Sequence, residues 1–116
     1  MKESILAQKS IDFSVCAIRY THWLQNECRE YVLSKQILRS STSIGANIHE
    51  AIYAISKADF IAKMQIALKE ASETEYWLIL LQKSNLLPPS FLFLMQSCQE
   101  LKAILISTLR TSKSEK

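Results

Sequence analysis

Two histidines, three cysteines and a short run of glutamates are the side chains here with chemistry to offer, and their spacing decides how much of it is open. Carboxylate-bridged metal bundles need inward glutamates together with Glu-x-x-His pairs on facing helices. Neither His22 nor His49 has a glutamate three residues before it; Arg19 and Ala46 stand there. His49-Glu50 does not extend into His-Glu-x-x-His, because Tyr53 occupies the second histidine position. A single glycine, Gly45, rules out a glycine-rich phosphate loop. Cys16, Cys28 and Cys98 are odd in number and lack paired spacing, which reads as free thiols in a reducing compartment. The sequence offers no catalytic, cofactor-binding or metal-ligating set.

The remaining polar candidates concern contact rather than catalysis. Glu70 and Glu73 read as a solvated face, whereas Glu75 falls about 60° from the centre of an apolar helical seam and needs a donor there. Ser43, Asn47 or Arg39 on the preceding helix can supply one. Ser43, Asn47, Glu50 and Glu75 are therefore expected to form a polar layer that sets register. The cations Arg29, Lys35, Arg39, Lys57, Lys63, Arg110 and Lys113 are spread over helices instead of packed in a run. Their plain reading is a solvated surface. Their functional reading is phosphate contact by Arg29, Lys35, Arg39, Arg110 and Lys113, with Tyr31 and Tyr53 placed to stack on unpaired bases.

The elements that must position these residues are helices. One glycine and two prolines in 116 residues cannot turn the hairpins of a sheet, so the connections must be few. The length suits one domain. No apolar run approaches the roughly 20 residues that span a bilayer, and the N-terminus MKESILAQKS has no apolar signal core, so the chain reads as cytoplasmic. The net charge of +3 comes from residues 28–55 and 88–116.

Apolar periodicity predicts four helices, over about 4–24, 31–55, 57–84 and 89–108, with a fraying basic tail over 109–116. They imply an all-α, antiparallel up-down-up-down bundle. In the first, Phe13, Ala17, Tyr20 and Leu24 share one face while Ile11, Val15 and Ile18 share another, roughly 160° away. In the second, Ile37, Ser41, Ile44, Ile48, Ala51 and Ile55 form the seam, beside a flank of Leu38, Gly45 and Ile52. Gly45 costs about 1 kcal/mol against alanine in mid-helix, which marks a close approach within the fold or across a subunit interface. Ser56 has the outline of a cap for the third helix. That helix carries a core seam of Phe60, Met64, Ala67, Ala71 and Leu78, a flank of Ile61, Leu68 and Ile79, and a far side of Ile66, Trp77 and Leu80. Three apolar directions exceed what a lone bundle covers, so association with further copies is expected, with Ile66 and Trp77 at the contact.

Two blocks, SKQILRSSTSIGANIHEA and SKADFIAKMQIALKEASETEYWL, resemble the four-helix bundle proteins encoded in intervening sequences of 23S ribosomal RNA genes. They are also similar to the accessory variability determinant of diversity-generating retroelements. The shared pattern falls on Gln36, Leu38, Arg39, Ser43, Ile44, Ala46, Asn47 and Glu50, then on Phe60, Ala67, Leu68, Glu70, Glu73 and Glu75. The resemblance implies a homopentameric, barrel-like assembly of antiparallel bundles with no enzymatic activity; no cofactor and no small-molecule substrate are expected. It also implies binding to RNA or to a reverse transcriptase-like nucleoprotein through a basic exterior. The alternative is a protein–protein adaptor that binds no nucleic acid.

Overall fold

The structure, a computed structural model, describes residues 2–115, with side chains over 5–115. Four helices follow one another: α1 (Lys2–Glu27), α2 (Leu33–Ile52), α3 (Lys57–Lys83) and α4 (Phe93–Ser114), the last preceded by a 3-10 turn at Pro89–Phe91. Each buries a seam that steps alternately by three and four residues. On α1 it is Leu6, Ser10, Phe13, Ala17, Tyr20 and Leu24; on α2, Ser34, Ile37, Ser41, Ile44, Ile48 and Ala51. On α3 it is Met64, Ala67, Ala71, Thr74, Leu78 and Leu81; on α4, Leu94, Cys98, Leu101, Leu105 and Thr108. A 3.5-residue repeat keeps one edge of every helix facing a common axis, the condition for knobs-into-holes packing. With short connections it yields an all-α, up-down-up-down bundle in which α1 and α3 each pack on α2 and α4. The molecule is a rod of 50 × 20 × 20 Å.

The helix ends follow local rules. Ser56, extended at φ −157° and ψ 165°, accepts from the Asp59 amide at 3.0 Å and caps α3 as expected. The same geometry stops α2 at Ile52 instead of Ile55, because a residue entering a cap must be extended. Ile55 accordingly leaves the seam and is 95% exposed. At the far end of α3, Asn85 takes a left-handed φ of 62°, with Leu86 N–H donating to the Leu81 carbonyl and Asn85 N–H to the Gln82 carbonyl. That is a Schellman termination with asparagine in glycine's place. Pro88 and Pro89 impose the 3-10 turn, so α4 begins at Phe93 rather than Pro89. Phe91 in that turn packs on Tyr20 and Trp23 with ring centroids 5.1 and 6.1 Å away. The basic tail does not fray where expected. Arg110 to Ser114 continue α4, held by the burial of Thr108 and Leu109; Lys116 lies outside the described residues.

Candidate functional site: cations, polar layer and apolar faces

Because α1 and α3 run one way and α2 and α4 the other, the ends of the rod collect different residues. Arg29, in the left-handed conformation between α1 and α2, and Lys35, in the first turn of α2, lie at one end. Arg110 and Lys113 lie on the last turns of α4 at the other, where the Lys57 amine meets the Glu115 carbonyl. All four side chains are exposed, and no ion-pair partner faces them among the described residues. The structure therefore splits the expected phosphate contacts into two groups at opposite ends.

Arg39 belongs to neither group. Its guanidinium bridges Glu70, at 3.3 Å, and Glu73, and Trp77 donates its indole N–H to Glu73 at 3.1 Å. Glu70 is only 8% exposed, so the expected solvated glutamates are instead the acidic half of a cross-helix pair. Arg39 is consumed in holding α2 to α3. Beside it the buried hydroxyls of Ser40 and Thr74 are hydrogen-bonded at 2.8 Å.

The polar layer expected from Ser43, Asn47, Glu50 and Glu75 is not assembled from those four. Ser43 donates to the Arg39 carbonyl and Asn47 to the Ser43 carbonyl, both within α2. Glu50 pairs with Lys63 of α3 at 3.2 Å. Glu75 turns away from α2 and meets Lys102 of α4 at 2.7 Å, and that hydrogen bond holds its carboxyl below the usual range. A polar layer between α2 and α3 does exist, but Arg39, Ser40, Glu70, Glu73 and Thr74 build it.

Gly45 faces its own fold. A Cβ there would sit 3.3 Å from Ser10 Oγ and 3.6 Å from Ser14 Oγ, so the missing side chain lets α1 lie close to α2. Ser14 reaches the Ser41 carbonyl at 3.5 Å across the same contact. Leu38 on this flank is half-buried and Ile52 exposed. On α3, Ile66 is exposed, while Trp77 is half-buried against the carboxylate network. On α1, Ile11, Val15 and Ile18 stand exposed on the side away from the core and form an apolar stripe.

The remaining reactive groups are engaged or dispersed among the described residues. Cys98 is buried with its thiol directed at the Ala71 carbonyl, and burial pushes it up to about 12. Burial likewise raises the Tyr20 phenol, which donates to the Leu86 carbonyl at 2.7 Å. Among the described residues no group of three or more His, Cys, Asp or Glu side chains could hold a metal ion, and no helix is long and apolar enough to cross a membrane. His22 and His49 are both exposed; the His49 ring packs on Tyr53 with centroids 5.2 Å apart.

Comparison with known proteins agrees with this architecture. A crystal structure of a protein of unknown function from the S23 ribosomal protein family of Bacteroides thetaiotaomicron superposes with a TM-score of 0.91. The two are 47% identical, and the match covers 95% of this chain and 99% of that one. Comparison with curated proteins gives no match. The family model of 23S rRNA-intervening sequence proteins matches residues 2–107, which takes in all of α1, α2 and α3 and most of α4. On that match, the chain belongs to the 23S rRNA-intervening sequence protein family.

Proposed function

We propose that this protein is a non-enzymatic, cytoplasmic, self-associating bundle that binds structured RNA or a nucleoprotein through cations at the two ends of its rod. The observation that carries the reading is the pairing pattern. Arg39, Lys9, Lys63 and Lys102 are neutralised by carboxylates, whereas Arg29, Lys35, Arg110 and Lys113 at the ends have no ion-pair partner among the described residues, a state they share with Arg19 and Lys69 along the body. Unpaired surface cations are the groups that neutralise phosphates and release their counterions. Self-association is supported by the α1 stripe of Ile11, Val15 and Ile18, and a pentamer is the assembly that the retroelement resemblance suggests. It would multiply the +3 of one chain five-fold and raise the avidity of weak contacts.

The same stripe favours a second reading, an adaptor whose partner is another protein. Titration of a labelled RNA hairpin between about 50 and 200 mM salt separates them. The RNA reading expects affinity to fall steeply across that range, and to fall further when Arg29 and Lys35, or Arg110 and Lys113, become glutamine. Absence of binding at the lowest salt leaves the adaptor. Light scattering checks the assembly independently: a monomer mass at micromolar concentration removes the pentamer.

A further inference from the structure

Both ends of the rod carry an exposed tyrosine, Tyr31 beside Arg29 and Lys35 and Tyr53 at the α2–α3 turn, but Tyr53 is the more exposed of the two and has an aromatic ring packed against it. Tyr53, the residue that terminates α2, is 73% exposed, and the His49 ring lies against it, tilted by 57° with centroids 5.2 Å apart. The neighbouring ring restricts how Tyr53 can turn, while most of its surface stays open. Ile55, two residues on, adds an apolar side chain that nothing in the fold covers.

Cations stand at the same end of the rod on the neighbouring elements. Lys57 opens α3, and Arg110 and Lys113 close α4 at the same end, as the contact between the Lys57 amine and the Glu115 carbonyl shows. Of the nearby acids, Glu50 pairs with Lys63, while Asp59, which accepts from the Ile55 amide at 3.3 Å, and Glu115 keep their charge as opposing carboxylates among the described residues. An exposed aromatic face flanked by cations matches a base with the phosphates on either side of it. Stacking is possible only where the base is out of a helix, since a paired base has both faces covered.

We infer that the α2–α3 end binds unpaired nucleotides of RNA, with one base stacked on Tyr53 and the adjoining phosphates held by Arg110, Lys113 and Lys57. This rests on the RNA reading above and narrows it, from structured RNA in general to its loops and single-stranded segments.

The test uses the full chain and two fluorescent RNAs of equal nucleotide count, a hairpin with an open eight-nucleotide loop (a length of about half the usual upper site size) and a fully paired blunt duplex. The hairpin is expected to bind more tightly. Tyr53→Ala should weaken hairpin binding by about 5- to 150-fold, the cost of one lost base stack, and Tyr53→Trp should restore it. The duplex should bind Tyr53→Ala and wild type alike. Arg110→Gln with Lys113→Gln should flatten the hairpin salt slope by roughly one and a half. Tyr53 is exposed at a helix end, so an unchanged circular dichroism spectrum confirms that each variant folds.

Equal binding of hairpin and duplex, or a Tyr53→Ala variant that binds the hairpin as wild type does, overturns this inference and leaves the RNA reading standing. Binding of neither RNA at low salt overturns both. Vesicles of phosphatidylcholine and phosphatidylserine form the last arm. Tyr53-dependent vesicle binding with no hairpin binding would assign the turn to a lipid surface and overturn the inference.

Discussion

At the level of single residues, Arg39 decides how the α2–α3 pair is read. Its guanidinium compensates a glutamate that is almost fully covered, so truncating it strands the Glu70 charge against the helix interface. Arg39→Ala should therefore cost about 1–2 kcal/mol in denaturant unfolding, less than a fully buried pair because Arg39 itself is half-exposed. The same change in a Glu70→Gln background should cost clearly less. Equal costs in the two backgrounds would show that the pair does no coupled work. Why this glutamate escaped a reading of the sequence is geometric. The seam expected from Phe60, Met64, Ala67, Ala71 and Leu78 leaves out Thr74 and Leu81, and adding them turns its centre toward Glu70. Glu70 and Glu75 then flank the seam at roughly equal angles, about 70° on either side. Angle from the seam was legible; the identity of the helix beyond each flank was not. Hence Glu75 found Lys102 on α4 and Glu70 took Arg39 on α2.

For the elements, the seams were legible because burial repeats and a helix must present it every three or four residues. Their ends were less so. Ser56 and Asn85 each announce a boundary, but how far α4 would run past Thr108 depends on Leu109 finding cover, which only the packed bundle reveals. Gly45 illustrates the same limit, since the sequence marks a close approach without saying to what. The answer, Ser10 and Ser14 of α1, makes a defined prediction. Gly45→Ala gains helix propensity of about 1 kcal/mol but sets its methyl against a Ser10 hydroxyl already bound to the Ala7 carbonyl. The gain should therefore be larger in a Ser10→Ala background than alone. Gly45→Leu should lower stability by about 1–3 kcal/mol or more through overpacking between α1 and α2, measured by thermal or denaturant unfolding. If Gly45→Leu is as stable as wild type, α1 does not lie against this face.

As a whole molecule, the bundle is a rod with carboxylates pairing Lys9, Arg39, Lys63 and Lys102, and with Arg29 and Lys35 at one end and Arg110 and Lys113 at the other left without an ion pair among the described residues. The two-ended arrangement was hidden in the sequence, where Arg29 and Arg110 look like members of one scattered set; antiparallel topology is what separates them. The short links between successive helices carry a consequence for time as well as shape. Every major contact joins helices adjacent in sequence, apart from the closing of α1 on α4, so loop-closure entropy is small for most of the core and refolding should take microseconds to milliseconds. The α1 stripe contributes nothing to that core, because Ile11, Val15 and Ile18 point away from it. Stopped-flow refolding should accordingly show a fast phase that is independent of protein concentration and unaltered by Val15→Ser. Any association should follow as a separate phase that speeds up with concentration and slows in the same variant. A fast phase that itself depends on concentration would mean that the chain cannot complete its core alone. Otherwise each copy is born finished, and assembly is a decision made afterwards between folded partners.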